Sequence, residues 1–204
     1  MKIALVDWPR LEAAVIAAGH GDDIEWAENL KAPANADDFA AEIIFVICNS
    51  GMKHTVARGI YDRVMDGIRA GRSMQESFRH PGKCAAIADI WQHRDKLFRW
   101  YCSAPDKLAF LAGLPWIGPI TKYHVAKNFG LQYAKPDVHL TRLAKTFNTT
   151  PQAMCDVIAK RTGYKIATVD TLLWRAAALG ILNTRTGEIN PTTGDQHGKP
   201  AQEN

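Results

Sequence analysis

Apolar residues recur at three- and four-residue intervals along almost the whole chain, and they nowhere alternate with polar ones for long enough to suggest paired strands. That spacing predicts helices over 9–18, 37–48, 56–70, 74–78, 83–91, 94–103, 106–114, 119–129, 138–147, 151–161 and 169–179, hence an all-α fold. The punctuation agrees with it. Thr150 followed by Pro151 reads as a cap and a first-turn proline, 148–150 as a short connector, and Gly71 and Gly130 suit helix exits. From about Asn183 the chain turns polar and rich in Gly, Pro, Thr and Asn, so 183–204 is expected to be a mobile polar tail. No repeat of the solenoid kind is present.

Composition narrows the class. With 204 residues, 47% of them hydrophobic, a sizeable core can form, yet no apolar run approaches the ~18 residues that span a bilayer, so no membrane partner is expected. The apolar start of the chain is too brief for a signal peptide and lacks a small-residue cleavage pattern. Cytoplasmic residence and a monomer are the expectations. Cys48, Cys84, Cys102 and Cys155 are scattered, without the close pairing a zinc site needs, so they read as reduced thiols, with no metal and no cofactor expected. The net charge of +4 conceals an uneven distribution: 1–50 carry −6, 51–150 carry +9 and 151–204 carry +1. A basic middle segment suits a partner made of phosphates, although most Lys and Arg in any chain simply face solvent.

That basic segment contains Leu114, Pro115, Trp116, Ile117, Gly118, Pro119, Ile120 and Thr121. Read locally, an apolar helix runs up to Leu114, residues 115–118 turn, and Pro119 opens a second helix where its missing N–H costs nothing. Backbone N–H groups at such a helix start bind phosphate well. A hairpin buried in an ordinary helix–turn–helix has the same spelling. Nineteen residues after Gly118 comes Asp137, in Pro136, Asp137, Val138, His139, Leu140, Thr141, Arg142. An aspartate that opens a helix is usually a cap, and a capping carboxylate remains able to stabilise developing positive charge or orient a water.

The pairing of Leu114, Pro115, Ile117 and Gly118 with Asp137, His139 and Arg142 resembles the helix-hairpin-helix (HhH-GPD) DNA glycosylase superfamily. The specific motifs cover 113–145, and a weaker likeness reaches back to Phe45, where 45–50 looks like the apolar helix before that family's base-displacing loop. The resemblance implies a two-lobed helical fold with a DNA-binding cleft between the lobes: 1–35 and 134–182 forming one lobe, the latter carrying the catalytic aspartate, and 36–133 a helical barrel-like lobe ending in the hairpin. It implies double-stranded DNA as partner, with Asp137 as the catalytic residue and Leu114, Trp116, Ile117, Gly118, Ile120, Thr121 and Lys122 meeting DNA. An enzyme that attacks a glycosidic bond inside a duplex unstacks its target and fills the gap. Asn49, Gly51, Met52 and Lys53 are the candidates for that plug, Met52 as the apolar wedge and Lys53 for phosphate.

Departures from the family are as informative. Members that also cut the strand have a lysine two residues after the second hairpin glycine, where this chain has Ile120, and Lys122 lies about 200° further around the helix. The implied activity is therefore a monofunctional N-glycosylase. Trp116 replaces the first hairpin glycine, so a bulky indole must accept the turn's backbone angles or lean on DNA. The family's iron–sulfur cluster needs cysteines that this chain lacks beyond Cys155. His139 reads as structural and Arg142 as a packing or backbone contact. Asp170 repeats the local look of Asp137, but it lies 52 residues from Gly118 and reads as a helix cap. Trp91, Gln92, His93, Trp100, Tyr101, Tyr123 and Trp174 are candidates for stacking on and reading an extruded base. Two alternatives stay open: a relative that modifies the base without releasing it, as in DNA hypermodification, and a DNA-binding module without catalysis.

Overall fold

A helix that is apolar on every side needs neighbours on every side. Past its acidic first turn α3 (Ala36–Asn49) comes close to this, with Phe39, Ala40, Ile43, Ile44, Val46, Ile47 and Cys48 all buried. A computed structural model describes residues 6–52 and 54–190. Among them α1 is Trp8–Ala17, α2 Asp22–Glu28, α4 His54–Arg69, α5 Met74–Ser77, α6 Pro81–Gln92, α7 Arg94–Ser103, α8 Lys107–Ala112, α9 Thr121–Asn128, α10 Val138–Thr146, α11 Pro151–Thr162 and α12 Ile166–Ala178. The class is all-α. No helix among the described residues is long and apolar enough to cross a membrane.

The chain divides into two units, a central one of residues 31–131 and a terminal one built from 1–30 and 132–204. In the central unit α4, α6, α7 and α9 pack around α3. Phe39 meets the rings of the half-buried Phe98 and the buried Tyr101 and Phe129 at centroid distances of 5.9, 5.3 and 5.6 Å, and burying a side chain as fully as Phe39 stabilises the fold by roughly 1.5–3 kcal/mol. Asn35 caps α3 by accepting from the Asp38 N–H at 2.8 Å, which starts the helix one residue before the predicted position.

The core of the terminal unit gathers Trp8, Leu11 and Val15 of α1, Leu140 and Leu143 of α10, Met154 and Ile158 of α11, and Val169, Leu172 and Leu173 of α12. The sequence pattern does not mark α2. Its acidic first turn of Asp22, Asp23 and Glu25 suits a helix N-terminus, and its acids reach across the unit. Glu28 Oε1 accepts from the Lys165 N–H at 2.8 Å and from the Thr168 hydroxyl, supplying from outside the cap that α12 lacks. Arg175 pairs with Asp23 at 2.7 Å.

The expected polar tail begins too early. Residues 183–190 fold back: Leu182 bridges Ile189, the Asn190 N–H donates to Ile181 O at 2.8 Å, and the Thr146 hydroxyl donates to Arg185 O at 3.1 Å. Gly187, at φ 80°, lies so close to Phe147 that a β-carbon there would stand 2.5 Å from the ring. Three apolar residues, Ile181, Leu182 and Ile189, are enough to dock a stretch whose average composition reads as tail. The remainder of that expectation, 191–204, lies outside the described residues.

Candidate functional site

The hairpin is built from α8, whose exit at Gly113 leads through Leu114 to a turn closed by the Ile117 N–H donating to Leu114 O at 3.1 Å. The second helix, α9, begins at Thr121 and not at Pro119. The cause is local: Thr121 Oγ1 accepts from the Gly118 N–H at 2.7 Å, which holds 118–120 as a turn ahead of the helix. Gly118 therefore offers no free N–H. The N–H groups of Ile120 and Thr121 have no acceptor among the described residues and are the donors left at this end of α9.

Leu114 and Ile117 are buried, so their side chains anchor the turn to the central core, and only their backbone is left to face a partner. Trp116 and Ile120 are exposed, Gly118, Thr121 and Lys122 half-buried, and the Lys122 ammonium stands 5.2 Å from the Tyr123 ring centroid. Trp116 adopts φ 65°, the left-handed region where glycine is at ease. Of the two options open to the indole, it takes the turn's angles.

The expected plug starts where α3 ends. Asn49 is the last residue of α3, Gly51 turns the chain at φ 72°, and the Met52 N–H donates to Asn49 O at 3.1 Å. Met52 is half-buried, and Lys53 lies outside the described residues. What holds this turn is a residue that none of the sequence motifs includes. Lys83 is 4% exposed, and its Nζ donates to Ser50 O at 2.6 Å and Cys48 O at 3.3 Å, capping the C-terminal carbonyls of α3 with a cation. Burial lowers its pKa from the ordinary lysine value. A signal does exist in the sequence: Lys83 stands in helical register with the buried Ile87 and Ile90. Burial also pushes the neighbouring Cys48 thiol up to about 11, so at neutral pH it holds no thiolate to act as nucleophile.

The expected base-pocket residues differ in how each is held. Tyr101 is buried against Phe39, Phe110 and Phe129 and belongs to the core, a correction that follows from its place on the α7 face turned to α3. Arg94 lies over Trp91 at 4.3 Å and Lys96 over the exposed Trp100 at 4.4 Å, so both rings already carry a cation. Gln92 and His93 are exposed at the α6 to α7 junction, and Trp174 lies in the terminal unit, half-buried, 5.0 Å from the Arg175 guanidinium. A shallow hollow of about 420 Å³ in the terminal unit, lined by Asp7, Arg10, Gly187, Glu188, Ile189 and Asn190, contains none of them.

Asp137 caps α10 with one oxygen. Its Oδ1 accepts from the His139 and Leu140 N–H groups at 2.9 and 3.0 Å, while Oδ2 has no partner among the described residues. The segment leading to it is pinned from three sides. Gln152 Oε1 accepts from the Ala134 N–H at 2.9 Å, Asp170 Oδ2 from the Lys135 N–H at 2.7 Å, and Lys135 O from the Asp137 N–H at 2.8 Å. Asp170 is thus no helix cap. It sits inside α12, buried, and fixes the backbone two residues before Asp137. Among the described residues no group of His, Cys, Asp or Glu is arranged to hold a metal ion.

Glu42 is the other polar group that the motifs leave out, a carboxyl among the apolar residues that follow the acidic first turn of α3. Asn128 Nδ2 donates to its Oε1 at 2.6 Å, and Asn128 Oδ1 is buried without a partner among the described residues. Burial raises the Glu42 pKa above the ordinary carboxylate value, against the opposing pull of Asn128, Lys127 and Arg58. The folded protein therefore holds this proton more tightly than the unfolded chain. Its stabilising contribution is complete below the unfolded value near ~4.3 and is lost as pH rises through the raised folded value. Glu42→Gln keeps the acceptor for Asn128 and carries no charge, so its stability relative to the parent is expected to improve as pH rises. Denaturant unfolding across a pH series checks this; a difference that is flat with pH contradicts it.

Set against known proteins, the chain matches no protein-family model, no curated protein and no solved structure.

Proposed function

We propose that this chain is a monofunctional DNA N-glycosylase, which extrudes a damaged, mismatched or modified base from duplex DNA and hydrolyses its glycosidic bond with Asp137 assisting. On this reading the two units are the lobes of a helix-hairpin-helix glycosylase-like fold. The observation that carries it is the state of Asp137: one carboxylate oxygen is spent on the α10 cap, the other is unpartnered among the described residues, and Asp170 and Gln152 hold the approach. A fixed, half-exposed carboxylate can stabilise the positive charge that builds on C1′ as the base leaves, and it can orient the water whose oxygen then bonds to C1′. The hairpin supports the partner. Two unbonded N–H groups at the start of α9 and the bare Cα of Gly118 form a place for a backbone phosphate.

Ile120 stands exposed where a strand-cutting relative has its amine, so water is the nucleophile. Borohydride is accordingly expected to trap no enzyme–DNA adduct, with strand breaks appearing only after alkali or heat. Efficient trapping would hand the role to another amine, Lys122 first. The reading as a whole is tested by incubating the protein with a panel of damaged and modified duplexes and revealing abasic sites with alkali. Base of altered mass without abasic sites would favour the hypermodification alternative, and binding without either change a non-catalytic module.

A further inference from the structure

Trp116 occupies a backbone conformation that favours glycine, and its side chain accounts for why a tryptophan stands there. The indole lies against Gly82, so close that a β-carbon on Gly82 would be 2.7 Å from Cζ3 of the ring. His80 meets it edge-on at 5.1 Å. Its Nε1–H donates to Ser50 Oγ at 3.3 Å. Ser50 is itself held, its hydroxyl donating to Ile47 O at 2.9 Å and its carbonyl accepting from the buried Lys83 Nζ. The hairpin turn, the first turn of α6 and the first residue of the 50–52 loop thus meet at one indole.

We propose that Trp116 is a positioning residue which fastens the 49–52 loop to the hairpin turn, so that the part suited to filling a vacated base position and the part suited to gripping phosphate engage DNA as a single element. A wedge inserted between bases works only if its support is stiffer than the stack it opens, and a loop of four residues turning on a glycine has no stiffness of its own. Lys83 fixes the loop's start through backbone carbonyls, and Trp116 supplies the link from that start to the turn. The role on DNA rests on the glycosylase reading. The tether itself does not.

The test uses four variants that address one interaction from different sides. Trp116→Phe keeps an aromatic ring and loses the N–H, Ser50→Ala loses the acceptor, Gly82→Ala displaces the ring, and Ser50→Thr retains a hydroxyl as the rescuing control. In the free protein, hydrogen exchange of the 49–52 amides is expected to accelerate about two- to tenfold in the first three and to stay at the parent rate in Ser50→Thr, with the α9 amides unchanged, as suits the loss of one hydrogen bond. Unchanged loop exchange in all four overturns the proposal. The second readout is the fluorescence of 2-aminopurine placed beside an abasic-site analogue in a duplex, measured at saturating protein so that affinity does not enter. The parent is expected to raise it, the first three variants to raise it at most about half as much, and Ser50→Thr to match the parent. Equal rises for all variants overturn the positioning role while leaving the glycosylase reading intact. No rise with the parent sinks the glycosylase reading, and the exchange result then decides the tether alone.

Discussion

Asp137→Asn is expected to fold and to bind duplex DNA as the parent does, while releasing base about 10²- to 10³-fold more slowly. The structure separates the two roles of this residue. Capping uses Oδ1 alone, and an asparagine oxygen can accept the same His139 and Leu140 N–H groups, so α10 keeps its start. The loss falls on Oδ2, whose charge no other acid on α10 replaces. The backbone approach is also preserved, because Asp170 and Gln152 hold Ala134 and Lys135 through main-chain N–H groups that the substitution does not touch. Single-turnover release from a duplex that the parent cleaves, with thermal unfolding measured alongside, checks the pair of expectations. A release rate near that of the parent removes Asp137 from the mechanism, and a large fall in Tm shows that the cap had needed the charge.

Much of the framework could be read from spacing, and the misreadings have common causes. The bounds of α7 and α11 are found within about a residue, and for α11 Thr150 and Gly163 supply cap and exit directly. The α2 helix escapes because seven residues with three acids in the first turn carry no stripe; its reason to be helical lies in Glu28 and Asp23 reaching α12, 137 or more residues away in sequence. Tyr101 reads as a stacking surface because aromatic identity does not say which face of α7 turns inward. The motif is continuous in sequence, whereas the turn divides its side chains between core and solvent, burying Leu114 and Ile117 and exposing Trp116 and Ile120. Lys83 and Glu42 belong to no motif, yet each is held by specific acceptors or donors inside the central unit. Asp170 shows how a repeated local pattern misleads. Its resemblance to Asp137 is one of letters, and it acts from inside a helix on the stretch of backbone that carries Asp137.

Gly118→Asp is expected to weaken binding to every duplex at least about tenfold, whatever its sequence or damage, while leaving the protein as stable as the parent or more so. Gly118 does not occupy the left-handed region, and the nearest atom a β-carbon would meet is Thr121 Oγ1 at 3.9 Å, so a side chain has room in the free protein. An aspartate at that position lies two and three residues before the unbonded Ile120 and Thr121 N–H groups, the spacing at which a carboxylate caps a helix. It would take the place of the phosphate from within and repel what remained. Gly118→Ala adds only a methyl group in ordinary contact with Thr121 and is expected to bind far better than the aspartate variant. Lys122→Ala should act on DNA in the same direction, more mildly. Removing one phosphate interaction lowers the slope of log affinity against log salt by about 0.9, so binding measured at several salt concentrations distinguishes a weakened grip on the backbone from a damaged fold. A Gly118→Asp protein that unfolds normally and binds duplexes as tightly as the parent would show that no phosphate sits at this turn, and the hairpin would then be an ordinary piece of helical packing.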